Sequence, residues 1–200
     1  MKNGLLNNVS LGSASYAIDN YDSGKITVDG GTLKTAAASG IRMFYNNGGE
    51  VTVNGGMIDA GWTGIQIQAG TKAAITVNNG TISGKTYALY VYGTNYSSQT
   101  DDINVAIHGG TFNGTVKTYE DFTVDGGIFN DAFVVSSYVL KPKMLTGGTF
   151  NGAAWVDSGY FGMIKDGILC DYTKETDANG NIISRTPTTA KYSAPFDAVA

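Results

Sequence analysis

The chain repeats a short pattern in which apolar and polar residues alternate, two adjacent glycines follow, and an apolar residue comes two positions later. Alternation over a few residues predicts a strand with one buried face, and the glycine pair predicts a tight turn before the next strand. The pattern occurs six times, in residues 26–33, 51–58, 75–82, 105–112, 122–129 and 145–150. The second glycines of successive copies are 25, 24, 30, 17 and 21 residues apart. A recurrence at this period indicates a repeat architecture.

A third apolar or alternating segment follows several of these copies. The segments are residues 40–45, 64–68, 87–92 and 132–136, and a weaker early copy combines residues 8–11 with 16–19. Each repeat therefore offers two or three short strands and no stretch of helical length. One such unit cannot bury its apolar side alone, whereas stacked units form parallel sheets around a continuous core. We predict an all-β fold, a single-stranded parallel β-helix (β-solenoid) of about six to seven coils.

Stacking should place equivalent apolar residues in inward columns. For the strand before the glycines, the predicted column is Ile26, Val53, Val77, Ile107 and Val124. For the strand after the glycines, it is Leu33, Ile58, Ile82, Phe112, Phe129 and Phe150. The threonines between the first set, at positions 27, 52, 76 and 123, should face solvent, where threonine suits a strand.

Composition and charge narrow the setting. The chain has 28 glycines and 3 prolines in 200 residues, with 13 basic and 17 acidic side chains and a net charge of −4. No basic cluster stands out, so we expect no nucleic-acid partner. No apolar run approaches the length of about 18 residues that a membrane span needs, so we expect no membrane insertion. The one cysteine, Cys170, cannot form an internal disulfide and has no metal-ligand spacing around it. We predict no cofactor and no metal site.

The iterated Val-x-Val-x-Gly-Gly-Thr-Phe pattern resembles the right-handed parallel β-helix repeats of secreted and surface proteins of gut-dwelling and other bacteria. It is similar to adhesins and to the pectate-lyase-like superfamily over about residues 5 to 165. The resemblance implies a right-handed coil and an extracellular or cell-surface location. No signal-peptide core is found in residues 1–10, so the chain is expected to be either cytosolic or a segment of a longer protein whose targeting sequence was removed, and the abrupt ending at residues 197–200 favours the segment, with further domains in the full-length chain. It leaves activity open, because this fold hosts lyases, hydrolases and adhesins.

Two segments divide the chain. Residues 1–165 are the predicted repeat domain, and residues 166–200 are a predicted capping hairpin and tail that belong to the same domain. Apolar residues 167–172 and 181–184 flank Asn179-Gly180, a dipeptide that favours hairpin turns. A solenoid needs its open end covered because an exposed core and an unpaired strand edge promote aggregation.

The longest interval between glycine pairs contains a candidate ligand-binding loop. Tyr90, Tyr92 and Tyr96 bring aromatic rings near Asp101 and Asp102, a combination that can stack on a sugar and accept hydrogen bonds from its hydroxyls. The alternative is a tolerated loop with partly buried tyrosines.

Trp62 is a second aromatic candidate for sugar binding. It lies between Gly61 and Thr63 at a predicted corner, where it can face solvent and stack on a sugar, as Trp155 could in a later repeat. The alternative for Trp62 is a ring that covers the corner of the core.

Catalytic chemistry finds less support. Asp29 and Asp125 stand four coils apart, about 19 Å at the spacing of paired strands, which is too far for the carboxylate pair of a glycosidase. His108 stands one coil from Asp125, so the spacing of paired strands predicts a His–Asp contact at about 5 Å. No nucleophile motif accompanies this pair, and a histidine in a turn is usually structural. We predict no catalytic residues.

Two functions remain open from the sequence. The favoured one is a non-catalytic, adhesin-like surface or secreted module that binds glycans or acts as a rigid spacer. The alternative is a polysaccharide lyase or glycoside hydrolase whose site is assembled from distant loops.

Overall fold

The computed structural model describes residues 1–12, 15–92, 102–119, 121–135, 143–145, 147–152, 154–156, 163–165, 168–176, 178 and 182–191. Every regular element in these residues is a β-strand, as predicted. Within the same residues no helix is long and apolar enough to cross a membrane. The chain is therefore an all-β protein over its described length.

Successive turns of the chain stack through parallel strand pairs, which form three faces. The first face contains β3 (Lys25–Val28), the second half of β5 (Ile41–Val53), the second half of β7 (Thr63–Val77), β9 (Asp102–Ile107), β11 (Asp121–Val124) and β14 (Lys143–Leu145). The second contains β1 (Leu5–Asn8), β4 (Thr32–Thr35), β6 (Met57–Ala60), the start of β8 (Thr81–Tyr92), the start of β10 (Thr111–Thr118), β12 (Ile128–Phe129) and β15 (Thr149–Phe150). The third contains β2 (Ile18–Tyr21), the starts of β5 and β7, the ends of β8 and β10, β13 (Phe133–Val135) and β16 (Ala154–Val156).

These pairings confirm the parallel β-solenoid. The register that starts at Ile18 passes through six successive partners along the third face. The partners are Ile41, Ile65, Leu89, Val116, Phe133 and Ala154. The right-handed sense of the coil stays a prediction.

The core is a stack of the inward columns. The column after the glycines is confirmed, because Leu33, Ile58, Ile82, Phe112, Phe129 and Phe150 pair in register. The column before the glycines needs one correction. Ile26 pairs with Val51, whereas Val53 pairs with Val28. Both apolar residues of each strand's apolar-polar-apolar segment point inward, so this face has two inward columns. The predicted column wrongly combined Ile26 from one with Val53 from the other.

Phenylalanine rings replace aliphatic side chains in the later turns of the second face. Phe112 and Phe129 are stacked with ring centroids 4.9 Å apart, and Phe129 and Phe150 are stacked at 4.7 Å. These separations equal the spacing of paired strands, so each ring lies flat on the ring of the neighbouring turn. Phe133, on the third face, meets Phe129 edge to face at 5.1 Å and closes the core.

The glycine pairs form the corner between the first and second faces. Gly56 has a φ of +84°, and a Cβ at this position would lie 2.7 Å from the carbonyl oxygen of Gly31 on the previous turn. Glycine is therefore required twice over, by the left-handed backbone and by the close stacking of successive corners.

The strands near the C-terminus pair differently. β17 (Met163–Lys165) pairs antiparallel with β18 (Ile168–Thr176), and β18 pairs antiparallel with β19 (Ile182–Lys191). The predicted hairpin is therefore confirmed as a strand pairing. Its role as a cap, and the division at residue 165, stay predictions.

Substituting the corner glycines should separate backbone strain from stacking. Gly56→Ala should destabilise the fold by more than the approximately 1–2 kcal/mol that left-handed backbone costs an alanine, because its Cβ also collides with the preceding corner. Gly48→Ala is the matched control, since Gly48 has a φ of +104° but its Cβ would meet no atom closer than 3.9 Å. Urea unfolding of both variants measures the difference. Equal losses would contradict the stacking argument.

Candidate functional site

Polar side chains on the outside of the second face form a ladder along the solenoid axis. Asn151 donates through Nδ2 to Oδ1 of Asn130 at 2.7 Å, and Asn130 donates in the same way to Asn113 at 2.8 Å. Asn113 then donates to Oγ of Ser83 at 3.1 Å. On the earlier turns of the same column, Lys34 forms an ion pair with Asp59 at 2.7 Å. The ladder therefore carries a defined row of hydrogen-bonding groups.

A groove of about 410 Å³ runs beside the early part of this ladder, at the corner between the second and third faces. Its polar walls come from successive turns of the chain, and its floor is made of small residues. The polar lining residues are Lys34, Thr35, Asp59, Ser83, Lys85 and Asn113. The small ones are Ala36, Ala60, Gly61 and Gly84.

Close packing of the backbone keeps the floor of the groove small. A Cβ on Gly61 would collide with the carbonyl oxygen of Ala36 on the previous turn. A Cβ on Gly84 would collide with the carbonyl oxygen of Tyr87. Larger residues cannot occupy these positions without moving the backbone. The groove is therefore a fixed consequence of how the corner stacks.

Trp62 follows Gly61 and lies at the same corner. Its backbone N–H donates to the carbonyl of Ala38 at 3.3 Å, and its carbonyl accepts from the N–H groups of Thr86 and Tyr87 at 3.0 and 3.3 Å. The backbone is thus held by both neighbouring turns, while 40% of the residue's surface remains exposed. Of the two alternatives drawn from the sequence, this exposure fits a ring available to solvent better than one that is buried.

Buried polar side chains lie inside this corner. Ser39 donates to Oε1 of Gln66 at 2.9 Å, and Thr35 donates to the carbonyl oxygen of Ser15 at 2.7 Å; all of these residues are buried. The hydroxyl of Thr63 is also buried, but it has no hydrogen-bond partner in the described part of the chain. An unpaired buried hydroxyl lowers stability.

Tyr90 belongs to an aromatic cluster on the third face. Its ring stacks on Tyr87 with centroids 4.6 Å apart and meets Tyr119 edge to face at 6.3 Å. Tyr90 is only partly exposed, which agrees with the partly buried tyrosine that the sequence left as an alternative. Tyr87 and Tyr119 were missed as members. Tyr87 and Tyr90 are three residues apart, so simple alternation would place them on opposite faces, and a register shift between Tyr87 and Leu89 brings their rings together.

The other loop candidates are not brought together by the described structure. Tyr96 and Asp101 lie outside the described residues, and of Tyr92 only the backbone, at the end of β8, is described. Asp102 begins β9, is exposed, and lies 3.8 Å from the ammonium group of Lys72 on the preceding turn. Trp155 lies on β16, and its side chain is not among those described. The sugar-binding loop stays a prediction.

His108 and Asp125 do meet. Nδ1 of His108 is 2.9 Å from both carboxylate oxygens of Asp125 on the next turn, and both side chains are close to half exposed. The pair continues a column in which Asn54 donates to Asp29 and Asn78 donates to Asn54, each at 2.7 Å. His108 therefore occupies a position in this polar ladder. Within the described residues no group of three or more potential metal ligands is found.

Arg42 forms a closed arrangement near the start of the solenoid. Its guanidinium lies 3.9 Å from the centroid of the Tyr16 ring and 4.5 Å from that of Phe44, and Nε donates to Asp19 at 2.9 Å. The hydrogen bond with Asp19, supported by its charge, raises the pKa of Arg42 against the opposing effect of burial. The charge is satisfied within the cluster, which joins the early turns of the solenoid.

Comparison of the chain with protein-family models, with curated proteins and with solved structures gives no match. The parallel β-solenoid is therefore established by strand pairing alone. The narrower resemblance to bacterial surface proteins stays an expectation.

Two threonine substitutions beneath the groove should have opposite effects on stability. Thr63→Val should raise the free energy of unfolding by about 1 kcal/mol, because it removes a buried hydroxyl that lacks a partner. Thr35→Val should lower it by about 1–2 kcal/mol, because the carbonyl of Ser15 loses its donor. Both changes replace a hydroxyl by a methyl group, so each controls for the other. Chemical denaturation measures both, and a loss in Thr63→Val equal to that in Thr35→Val would contradict the assignment.

Proposed function

We propose that the protein is a non-catalytic, adhesin-like module of a secreted or cell-surface protein, and that it binds glycans in the groove beside Trp62. One observation carries the proposal. A groove of about 410 Å³ has charged, hydroxyl and amide side chains along its walls, and a part-exposed tryptophan follows directly on its lining residue Gly61.

The chemistry of the groove suits a sugar. Hydroxyl groups of a sugar both donate and accept hydrogen bonds, and the groove offers a carboxylate at Asp59, a hydroxyl at Ser83 and an amide at Asn113. The C–H face of a pyranose ring packs well on an aromatic ring, which Trp62 can supply. Few polar groups beside an apolar surface are the usual composition of a ligand site.

The walls of the groove are held in place before any ligand arrives. Lys34, Asp59, Ser83 and Asn113 project from strands that pair in register, and Asn113 is tied to Ser83 by a hydrogen bond. Side chains on paired strands lose less freedom on binding than side chains on loops. This pre-organisation favours the binding of a ligand with many hydroxyl groups.

The arrangement favours binding over cleavage. Asp59 is the one carboxylate among the residues described as lining the groove, and it is engaged by Lys34. Glycoside hydrolysis ordinarily uses two carboxyl groups on either side of the scissile bond. A lyase or hydrolase therefore remains the second candidate function, and a rigid spacer the third.

The glycan proposal predicts a specific dependence on Trp62. Trp62→Ala should weaken binding to glycans by about tenfold, because it removes the aromatic stacking surface, whereas Trp62→Phe should retain most of the affinity. Ile128→Ala is the matched control, since Ile128 is equally exposed, at 43%, but lies at the other corner. A glycan array followed by calorimetry on the strongest ligands gives the affinities.

The outcomes separate the three functions. Binding that needs Trp62, without product release from the same polysaccharides, supports a binding module. Release of shortened or unsaturated products would replace it with the enzyme, and absence of binding across the array would leave the spacer.

A further inference from the structure

Four cations on the outside of the described solenoid are matched by carboxylates on the neighbouring turn. Lys25 pairs with Glu50 at 2.8 Å, and Lys34 pairs with Asp59 at 2.7 Å. Arg42 pairs with Asp19, and Lys72 lies 3.8 Å from Asp102.

Lys85 has no such match. It is exposed, it lines the groove, and it has no carboxylate partner among the described residues. In a chain with a net charge of −4, the groove thus has two lysines and one carboxylate in its lining. An unpaired positive charge faces the proposed ligand.

The polar ladder of the second face ends at Ser83, a second hydrogen-bond donor in the lining of the same groove. Its hydrogen bonds run in one direction, from Asn151 through Asn130 and Asn113 to the oxygen of Ser83. Ser83 Oγ accepts the last hydrogen bond of this row, and its own hydroxyl hydrogen has no acceptor among the described residues. A chain of aligned hydrogen bonds polarises its last member and makes it a better donor. Ser83 and Lys85 stand two residues apart on β8.

Two other cavities that are lined by described residues lack this combination. A groove at the glycine corner, beside Thr111 and Ile128, has no charged residue in its lining. A smaller cavity of about 140 Å³ is lined by Lys72 together with the carboxylates of Glu50 and Asp102. The excess of positive charge is therefore a feature of the groove beside Trp62.

We infer that this groove prefers glycans that carry an anionic group, a carboxylate or a sulfate, and that Ser83 and Lys85 bind that group. The inference rests on the proposed glycan binding and specifies the class of glycan. The Lys34–Asp59 end of the groove, which is internally neutralised, then contacts neutral hydroxyls. An anion that accepts from both a hydroxyl and an ammonium group forms charge-assisted hydrogen bonds, which are stronger than neutral ones.

The test uses three soluble glucans that share one backbone: hydroxyethyl cellulose, carboxymethyl cellulose and cellulose sulfate. The full chain should bind the two anionic polymers about tenfold more tightly than the neutral one, as expected for charge-assisted hydrogen bonds. Lys85→Gln should remove most of this preference, with a much larger loss of affinity for the two anionic polymers than for the neutral one, and Ser83→Ala should reduce the preference in part. Comparison of the two anionic polymers tells whether carboxylate or sulfate fits better.

Lys25→Gln is the charge control, because it removes the same charge from the first face, outside the groove. Its affinities should match those of the unmodified protein, and circular dichroism of all variants should be the same. Equal binding of neutral and anionic polymers, or an equal loss in Lys25→Gln and Lys85→Gln, would overturn the inference. Binding of none of the three would overturn it as well. In each case the glycan array with Trp62→Ala decides separately whether the proposed function stands.

Discussion

Hydrogen bonding between successive turns in parallel register is the interaction on which this molecule depends. It brings each residue to about 4.8 Å from its counterpart in the next repeat, so a position is stable only if it tolerates stacking on a similar residue. Aliphatic residues stack on aliphatic residues inside, and Phe112, Phe129 and Phe150 stack ring on ring. On the outside, Asn151 and Asn130 each donate through the amide nitrogen to the amide oxygen of the asparagine on the previous turn, Asn130 and Asn113 respectively. At the corner, Gly56 must be glycine because Gly31 stacks above it.

The same constraint explains why the fold could be predicted from the sequence. Repeats that stack must resemble one another, so the column from Leu33 to Phe150 was visible in the spacing of the glycine pairs. Errors arose where the spacing is irregular. The 17-residue interval hid the third-face strand around Val116, and mixing the two inward positions of a strand put Ile26 beside Val53. Register shifts within β10 and β5 absorb such differences in length, and no local pattern marks them.

The candidate site was harder to predict because it lies at a corner. Strand positions follow from alternation, and this is why the meeting of His108 and Asp125 could be anticipated from their equivalent places in adjacent copies. The corner between the second and third faces varies in length from turn to turn, so the groove formed by Lys85, Asp59 and Ala36 has no counterpart in the repeat pattern. The exposure of Trp62 could be predicted from its place at a corner. The polar residues that line the nearby groove could be identified only from the structure.

A solenoid built from matched turns makes its mismatches informative. Where a lysine meets a carboxylate one turn away, as Lys25 meets Glu50, the charge serves the stack. Where the described row of hydrogen bonds ends, the hydroxyl hydrogen of Ser83 has no acceptor among the described residues, and Lys85, two residues later, meets no carboxylate among them. The anionic ligand that we infer would supply an acceptor to both groups. The paired charges of the other turns are thus the reference against which these two groups of the groove stand out.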